Sequence, residues 1–248
     1  MSTASDPSGH TDAAADVSTG PGAVIVYIDG WNLHRACERA FDQGQVHPLL
    51  LGRELAGKRP LGGVRYYMGM PDPRIEASGG EERQRQIDFM AKTGVATVTR
   101  KLRYRWEWKL DKWSLPHPRD HEGETRKGDA TAKLQGREKG VDVSLALDAA
   151  SAAQRNDVAA VVIVSADSDL EIVATHLGES SKIRRQRGVR IENAIPNSIG
   201  KKIINRSYDW SHQIDAAMFA RIRDDLDYTK PIKQKARDRE LKRLLLAG

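Results

Sequence analysis

Two continuous apolar runs dominate the hydrophobic pattern of the chain, one at 23–28 and one at 158–164. Runs of this length are typical of parallel strands that helices cover on both faces. Each run leads into a helical pattern, at 32–41 after the first run and within "SADSDLEIVATHLGE" after the second. The pattern therefore predicts two strand–helix units of a parallel sheet.

Further strands and helices alternate around these two units. Periodicity predicts strands at 63–70, 98–110 and 189–195, and helices in "EERQRQIDFMAKTG", in "VDVSLALDAASAAQ" and at 209–227. Because parallel strands need crossover connections, this order predicts an α/β fold, a three-layer α/β/α sandwich with a mostly parallel central sheet.

Composition narrows the class of protein. The 248 residues are 39% hydrophobic, which is enough to form a core. Forty Lys and Arg against 34 Asp and Glu give a net charge of +6, which favours an acidic partner such as nucleic acid. The single cysteine, Cys37, excludes an intramolecular disulfide and a CxxC metal site, and it fits a cytoplasmic location.

The two ends of the chain differ from its centre. Residues 1–22 are rich in Ser, Thr, Asp, Ala and Gly, and we expect a disordered leader rather than a secretion signal. We expect one domain at 23–214 and a basic helical extension at 215–248, which is a candidate for homodimer contacts. No apolar run approaches the roughly 20 residues of a membrane span, so we expect a soluble protein.

Acidic residues follow both apolar runs. Asp29 ends the first strand in "YIDGWNLH", while Ser165, Asp167 and Asp169 follow the second. If these two strands are neighbours, three carboxylates meet at the edge of the sheet that carries the strand ends. Clustered carboxylates need a cation, and Mg²⁺ or Mn²⁺ accepts their oxygens as ligands. The alternative role for Asp167 and Asp169 is helix capping, for which one aspartate would be enough.

A fourth carboxylate candidate is Asp142 in "EKGVDVSLALDAA". On a helix, Asp142 and Asp148 are separated by about 240° of rotation, so the two side chains cannot both point into one site. Asp142 lies in the first turn, where the helix start can direct it toward the strand ends. Asp148 stays open as a cap, as an ion-pair partner or as a supporting group behind the site.

Three motifs, "YIDGWNLH", "EKGVDVSLALDAA" and "VVIVSADSDLEIVATHLGE", in that order, resemble the NYN domain of the PIN-like metal-dependent nucleases. The resemblance covers residues 23–204 and implies a PIN-like fold, RNA as the substrate and Mg²⁺ or Mn²⁺ as the cofactor. The positions that match the acidic residues of the family are Asp29, Asp142, Asp167 and Asp169, with Asn32 and Ser165 beside them.

The resulting hypothesis is a ribonuclease that hydrolyses phosphodiester bonds with the help of the metal and without a covalent intermediate. Asn32 either hydrogen-bonds a ligand carboxylate or a phosphate, or it caps the first helix. Ser165 either positions Asp29 or a phosphate, or it shapes the turn after the strand. The competing hypothesis is an RNA-binding or regulatory module with weak or no turnover, because some members of the family are better understood as regulators.

Substrate binding is expected from basic and aromatic side chains in and after the alternating strand at 98–110. Basic groups pair with phosphates, and aromatic rings stack on the bases of single-stranded or structured RNA. We interpret Tyr104 and Trp106 as a core face, because a strand needs one. The stretch 113–129 is predicted to be a mobile loop. The candidate binding residues are Arg103, Arg105, Trp108, Lys109, Lys112, Trp113 and Lys139.

Overall fold

The structure, a computed structural model, consists of strands that are joined largely by helices. It describes residues 22–109, 131–179, 188–197 and 205–246, without the side chains of 107–109, 131–133 and 178–179. The strands are β1 (Ala23–Asp29), β2 (Leu61–Met70), β3 (Ala96–Lys101), β4 (Arg103–Lys109), β5 (Thr131–Arg137), β6 (Val158–Val164), β7 (Arg190–Pro196) and β8 (Trp210–Ile214). The helices are α1 (Gly30–Phe41), α2 (Pro48–Ala56), α3 (Ala77–Lys92), α4 (Val141–Ala152), α5 (Glu171–Glu179), α6 (Ala216–Ile222) and α7 (Gln234–Leu246).

Six of the strands form one parallel sheet in the order β3-β2-β1-β6-β7-β8. The two strands of the continuous apolar runs, β1 and β6, are direct neighbours in the middle of this sheet, with Ile28 opposite Val164. From β1 the chain builds the sheet first toward β3 and later, through β6, toward β8. The reversal between β1 and β6 is therefore the topological switch point of the sheet.

Helices cover both faces of the sheet, which confirms the predicted three-layer α/β/α sandwich. On one face Val24, Val26 and Ile28 pack in a hydrophobic cluster with residues of α1, α2, α3, α6 and α7. On the other face Ile25 and Tyr27 pack with residues of α4 and α5. Burial of a Val or Ile side chain contributes about 1.5–3 kcal/mol, so a strand covered on both faces favours the continuous apolar run that predicted it. None of the described helices is long and apolar enough to cross a membrane.

The prediction of one strand at 98–110 is wrong, because the chain forms two strands there. β3 ends at Lys101 on the edge of the main sheet, and the N–H of Leu102 donates to the carbonyl of Met70 at 3.0 Å. β4 then leaves this sheet and pairs antiparallel with β5, with Arg103 opposite Arg137. We call this two-stranded unit the β4–β5 ribbon. The alternation of apolar and polar side chains continues from β3 into β4, because side chains in any strand alternate with a period of two.

The interpretation of Tyr104 and Trp106 as a core face is wrong for Trp106. Trp106 is 64% exposed, whereas Tyr104 is half-buried and its hydroxyl accepts a hydrogen bond from the N–H of Asp72 at 3.0 Å. The physical reason is that β4 and β5 form a sheet of their own, separate from the six-stranded sheet. The predicted loop at 113–129 lies outside the described residues.

The predicted helix at 209–227 is wrong at its start and too long. Residues 210–214 form the edge strand β8, which pairs with β7, so the strand predicted at 189–195 is not the last one. The helix α6 begins after Asp215, whose side chain accepts a hydrogen bond from the N–H of Met218 at 2.8 Å. A short edge strand and a capped helix thus follow each other directly.

The helix α2 is an element that the periodicity did not predict. Pro48 lies in its first turn. Backbone N–H groups have no helical acceptor there, so proline, which lacks an N–H, costs the helix no hydrogen bond. Leu50, Leu51 and Leu55 are buried in the cluster against β1 and β2. This helix therefore supplies a large part of the core on that face of the sheet.

Residues of the C-terminal segment pack on the same face. Phe219, Ile222, Tyr228 and Leu244 belong to the hydrophobic cluster that contains Val26 of β1. The basic C-terminal helix, α7, is therefore docked on the α/β/α body.

Candidate active site

The candidate site lies where β1 and β6 end side by side. Parallel strands expose their carboxyl ends at one sheet edge, and the reversal of strand order opens a crevice there. A cleft of about 440 Å³ occupies this place. We call it the acidic cleft; its polar lining consists of Asp29, Asn32, Glu138, Lys139, Asp142 and Asp167.

Asp29 belongs to both the end of β1 and the start of α1. One carboxylate oxygen accepts the N–H of Asn32 at 3.1 Å and caps α1, and the other accepts the hydroxyl of Ser165 at 3.3 Å. Gly30 follows because a Cβ at this position would lie 2.4 Å from the ring of Tyr66. Asp29 thus lies against the sheet, largely buried, with its orientation fixed by both strands.

Asn32 and Ser165 connect the turns after the two strands. The side-chain oxygen of Asn32 accepts the N–H of Ala166 at 2.8 Å, and the hydroxyl oxygen of Ser165 accepts the N–H of Asp167 at 3.1 Å. Asn32 therefore does not cap α1, a role that Asp29 fills. Ser165 combines the two alternatives considered for it, since it contacts Asp29 and also shapes the turn after β6.

Asp142 enters the acidic cleft from the start of α4. The helix begins after Gly140, which has a φ of +77°, a conformation that glycine adopts without strain. Asp142 is in the first turn and lines the cleft. Asp148, lower on the same helix, instead accepts the hydroxyl of Tyr67 at 2.5 Å and pairs with Arg65 at 3.2 Å. The rotation between the two aspartates thus separates their roles.

Glu138 is a carboxylate of the cleft that was not predicted. Its side chain accepts the N–H of Gly69 near the end of β2, and a Cβ on Gly69 would lie 2.6 Å from the Glu138 carboxylate. Glu138 directly follows β5, which belongs to the antiparallel β4–β5 ribbon, so the rule for carboxyl ends of parallel strands that selected Asp29 does not extend to it. The strand β5 itself was also not predicted.

The two aspartates after β6 are placed differently. Asp167 lines the cleft, and its carboxylate accepts the N–H of Asp169 at 3.0 Å at the start of a 3₁₀ turn, Ser168–Leu170. Asp169 is exposed and does not contribute to the lining of the cleft. The structure therefore brings together Asp29, Asp142 and Asp167, and it leaves Asp169 at the margin.

Like charges act on one another across the cleft. Burial raises the pKa of Asp29, hydrogen bonds from Asn32 and Ser165 lower it, and the negative charges of Asp167 and Asp142 raise it further. Burial also raises the pKa of Glu138, and the charges of Asp29 and Asp142 act in the same direction. The carboxylates of the cleft thus repel one another, and a cation would relieve this repulsion.

The donor set fits a hard divalent cation by its chemistry, because all four acidic groups offer oxygen ligands to one cleft. Their present geometry is open: within the described ranges, no three His, Cys, Asp or Glu side chains are grouped closely enough to hold a metal ion. Asp29 and Asp167 each accept a local N–H at the start of a helical segment. Binding of a cation would therefore require these carboxylates to turn toward it.

The predicted substrate-binding residues fall into three groups. Lys139 lines the acidic cleft, whereas Arg103 and Arg105 are exposed on the β4–β5 ribbon. Trp108 and Lys109 belong to β4, but their side chains are not described. Lys112 and Trp113 lie outside the described residues.

Two solved structures are weakly similar to this chain. Among solved structures, a protein of unknown function from Vibrio parahaemolyticus aligns with a TM-score of 0.46 and 16% identity, covering 80% of this chain and 96% of that chain. A ribokinase from Giardia lamblia aligns with a TM-score of 0.29 and 10% identity, covering 76% of this chain and 57% of that chain. Neither similarity is strong enough to carry a functional argument. A comparison with curated protein sequences gave no significant match.

The sequence model of the NYN domain matches residues 23–206. This range includes β1 to β7 of the described structure but not β8. The matched range contains every residue of the acidic cleft. The chain therefore belongs to the NYN domain family, a family of PIN-like nucleases.

Proposed function

We propose that the protein is a metal-dependent ribonuclease that hydrolyses RNA phosphodiester bonds at the acidic cleft. The observation that carries this proposal is the convergence of Asp29, Glu138, Asp142 and Asp167 from three separate segments of the chain on one cleft. A stable fold has no need for this arrangement, since repulsion among carboxylates gathered at one cleft costs free energy. The family supports the same conclusion, because NYN nucleases act on RNA and generally use divalent metals.

The candidate metal ligands are Asp29, Asp142 and Asp167, with Glu138 as an addition from the structure. Asp169 stays a prediction, because it would have to turn toward the cleft from its margin. When bound, Mg²⁺ or Mn²⁺ would lower the pKa of a water so that it can act as the nucleophile near neutral pH, and it would neutralise charge that develops on the phosphate.

The other residues of the cleft hold this arrangement in place. The N–H of Asn32 and the hydroxyl of Ser165 orient Asp29, and the side chain of Asn32 ties the turn after β6 to the start of α1. Lys139 is the cationic side chain of the cleft lining. In this proposal it pairs with a phosphate of the RNA. Asn32 and Ser165 are therefore positioning residues in this proposal.

The test is cleavage of labelled single-stranded RNA by the full-length protein in Mn²⁺ or Mg²⁺. We expect cleavage that EDTA abolishes, and we expect the double variant Asp29→Asn, Asp167→Asn to reduce the rate by roughly 100-fold or more. A matched control is the double variant Asp88→Asn, Asp238→Asn, which changes two exposed aspartates on α3 and α7. Equal cleavage by the cleft variant and the wild type, or no cleavage of varied RNAs by either, would refute the proposal.

One observation favours a second candidate, an RNA-binding or regulatory module with weak turnover. The carboxylates of Asp29 and Asp167 are engaged in local hydrogen bonds, and within the described residues no three acidic, His or Cys side chains are close enough to hold a metal ion. RNA binding without cleavage, unchanged in the Asp29→Asn, Asp167→Asn variant, would support this module. A cytoplasmic location and a homodimer formed through the C-terminal helix stay predictions from the sequence.

A further inference from the structure

Trp31 is an aromatic residue at the edge of the acidic cleft that core packing does not explain. It is the second residue of α1, it lines the cleft beside Asp29, and its side chain is 46% exposed. The buried face of α1 is supplied by other residues, among them Leu33 and Cys37. A large indole surface thus faces solvent next to the carboxylates.

The indole ring is held in place before any ligand binds. The rings of Trp31 and His34 are nearly parallel, with their centroids 6.2 Å apart, and the guanidinium of Arg35 lies 5.4 Å from the Trp31 ring centroid. His34 in turn contacts Glu38 at 3.4 Å and packs on Gly44, where a Cβ would lie 2.4 Å from the imidazole. These contacts restrict the ring, which lowers the conformational cost of stacking. Because the guanidinium lies over the ring and Arg35 is exposed, a base stacks on the indole surface that Arg35 leaves open or displaces this side chain.

The rest of the cleft matches the parts of a nucleotide. Val143, which also lines the cleft, is 57% exposed and adds a second apolar surface. Lys139 provides a positive charge, and Asp29 and Asp142 provide the oxygens for a cation. One cleft therefore combines an aromatic face, an aliphatic side chain, a cationic side chain and a carboxylate group.

We propose that Trp31 stacks on an unpaired base of the RNA strand, beside the phosphate that a cation would hold at the carboxylates, and that this contact selects single-stranded over double-stranded RNA. The inference rests on the proposed function for the position of the phosphate. A base within a duplex is stacked on both faces, so only an unpaired base can place a face on the indole. Trp31 is a specificity residue in this scheme, because it contacts the base rather than the reacting phosphate.

The test is RNA binding measured in Ca²⁺, a cation that carboxylate oxygens bind, with the recovered RNA checked to be intact. Fluorescence anisotropy would compare a labelled single strand with a duplex of the same sequence, for wild type, Trp31→Ala and Trp31→Phe. Trp210→Ala is the matched control, because Trp210 is 47% exposed but lies at the start of β8, at the opposite edge of the sheet. We expect Trp31→Ala to weaken single-strand binding roughly 5- to 150-fold, the range found for loss of one stacked base.

Three further results are expected under the same conditions. Trp31→Phe keeps most of the affinity for the single strand, Trp210→Ala keeps all of it, and none of the variants changes duplex binding. An abasic site scanned along the strand weakens binding to wild type at one position and has no further effect in Trp31→Ala, because the two changes remove the same contact. The wild-type part of this scan needs no variant, and thermal unfolding of Trp31→Ala controls for loss of structure in the comparison.

Specific outcomes would overturn the inference. These are unchanged single-strand binding in Trp31→Ala, an equal loss for single strand and duplex, an abasic scan with no sensitive position, or no binding by the wild type. Absence of cleavage in Mn²⁺ or Mg²⁺ with Trp31-dependent binding intact would refute the proposed function alone. Normal cleavage with Trp31-independent binding would refute the stacking inference alone.

Discussion

At the scale of single residues, Asp29 combines the cap of a helix with a position in the acidic cleft. The end of β1 is also the start of α1. The Asp29 carboxylate can therefore cap the helix by accepting the N–H of Asn32 and still line the acidic cleft. The hydroxyl of Ser165 fixes its second oxygen from the neighbouring strand. A residue at such a corner can therefore serve the fold and the proposed chemistry at once, and we expect its substitution to affect both.

Asp142 and Asp148 allow these two properties to be measured separately on one helix. We expect Asp142→Ala to abolish most RNA cleavage with a change in the free energy of unfolding of less than about 0.5 kcal/mol, because Asp142 caps no buried donor. We expect Asp148→Ala to retain cleavage but to cost about 1–3 kcal/mol, because it removes the acceptor of the buried Tyr67 hydroxyl. Urea unfolding and a cleavage assay on both variants check the prediction, and a stability loss confined to Asp142→Ala would contradict it.

The cleft was predictable only where a single strand or helix determines the position of a residue. Asp29 and Asp167 follow strands that the apolar runs mark clearly, and Asp142 follows from a helix start. Glu138 depends on a contact with Gly69 of another strand, and a tertiary contact of this kind leaves no periodic signal in the sequence. The exposure of Trp106 was missed for the same reason, since burial depends on what lies opposite.

At the scale of elements, continuous hydrophobicity proved a better guide than alternation. β1 and β6 were predicted with nearly their observed bounds, because a strand buried on both faces is apolar throughout. The alternation across 98–110 could not reveal the break at Leu102, since two strands in different sheets share one period. The edge strand β8 was taken for helix, because five residues are too few to distinguish the two periods before α6 begins.

The docking of α7 leads to a prediction with a control at the adjacent position. Leu244 is buried in the cluster against the sheet, whereas Leu245 is 79% exposed. We expect Leu244→Ala to lower the free energy of unfolding by about 2–4 kcal/mol through lost burial and a residual cavity. Leu245→Ala should change it by less than about 0.5 kcal/mol.

Chemical denaturation of the two leucine variants and the wild type would measure these differences. The arginine contacts of the helix support the expected result, because Arg243 donates to the backbone carbonyls of Arg221 and Arg223 and so fixes α7 next to α6. Similar stability of the two variants would show that α7 is not docked in solution.

At the scale of the whole molecule, two buried groups oppose each other in their effect on stability between pH 4 and 6. Burial lowers the pKa of His47 to about 4, and Arg243 and Arg53 add to this effect. Burial raises the pKa of Asp224 to about 6, against hydrogen bonds from Leu226 and Tyr228. Folding therefore favours neutral His47 and neutral Asp224.

The pH dependence of each contribution to stability follows from the difference between the pKa of the group in the folded and in the unfolded chain. His47 contributes stability above its ordinary pKa of about 6.5, and this contribution is lost as the pH falls toward 4. Asp224 contributes stability below its ordinary pKa of 3.8, and this contribution is lost as the pH rises toward 6. Each effect is on the order of 3 kcal/mol, so the two largely cancel in the wild type.

Single substitutions should separate these effects. From pH 4 to 6, the free energy of unfolding of Asp224→Asn relative to wild type should rise, and that of His47→Leu should fall. Urea unfolding at several pH values measures both differences, with the exposed Leu245→Ala as a control whose difference stays constant. Two slopes of the same sign would contradict the assignment of these groups.

The strand order explains when the acidic cleft can exist. Asn32 and Ala166 are 134 positions apart, and Asp29 and Ser165 are 136 apart, yet each pair is joined by a hydrogen bond at the switch point. A ribosome makes the chain from the N-terminus, so a nascent chain that ends before β6 carries Asp29 and Asp142 but lacks Asp167 and the strand that orients the site. If the cleft cuts RNA as proposed, the growing chain cannot cut its own messenger before β6 and Asp167 have been made.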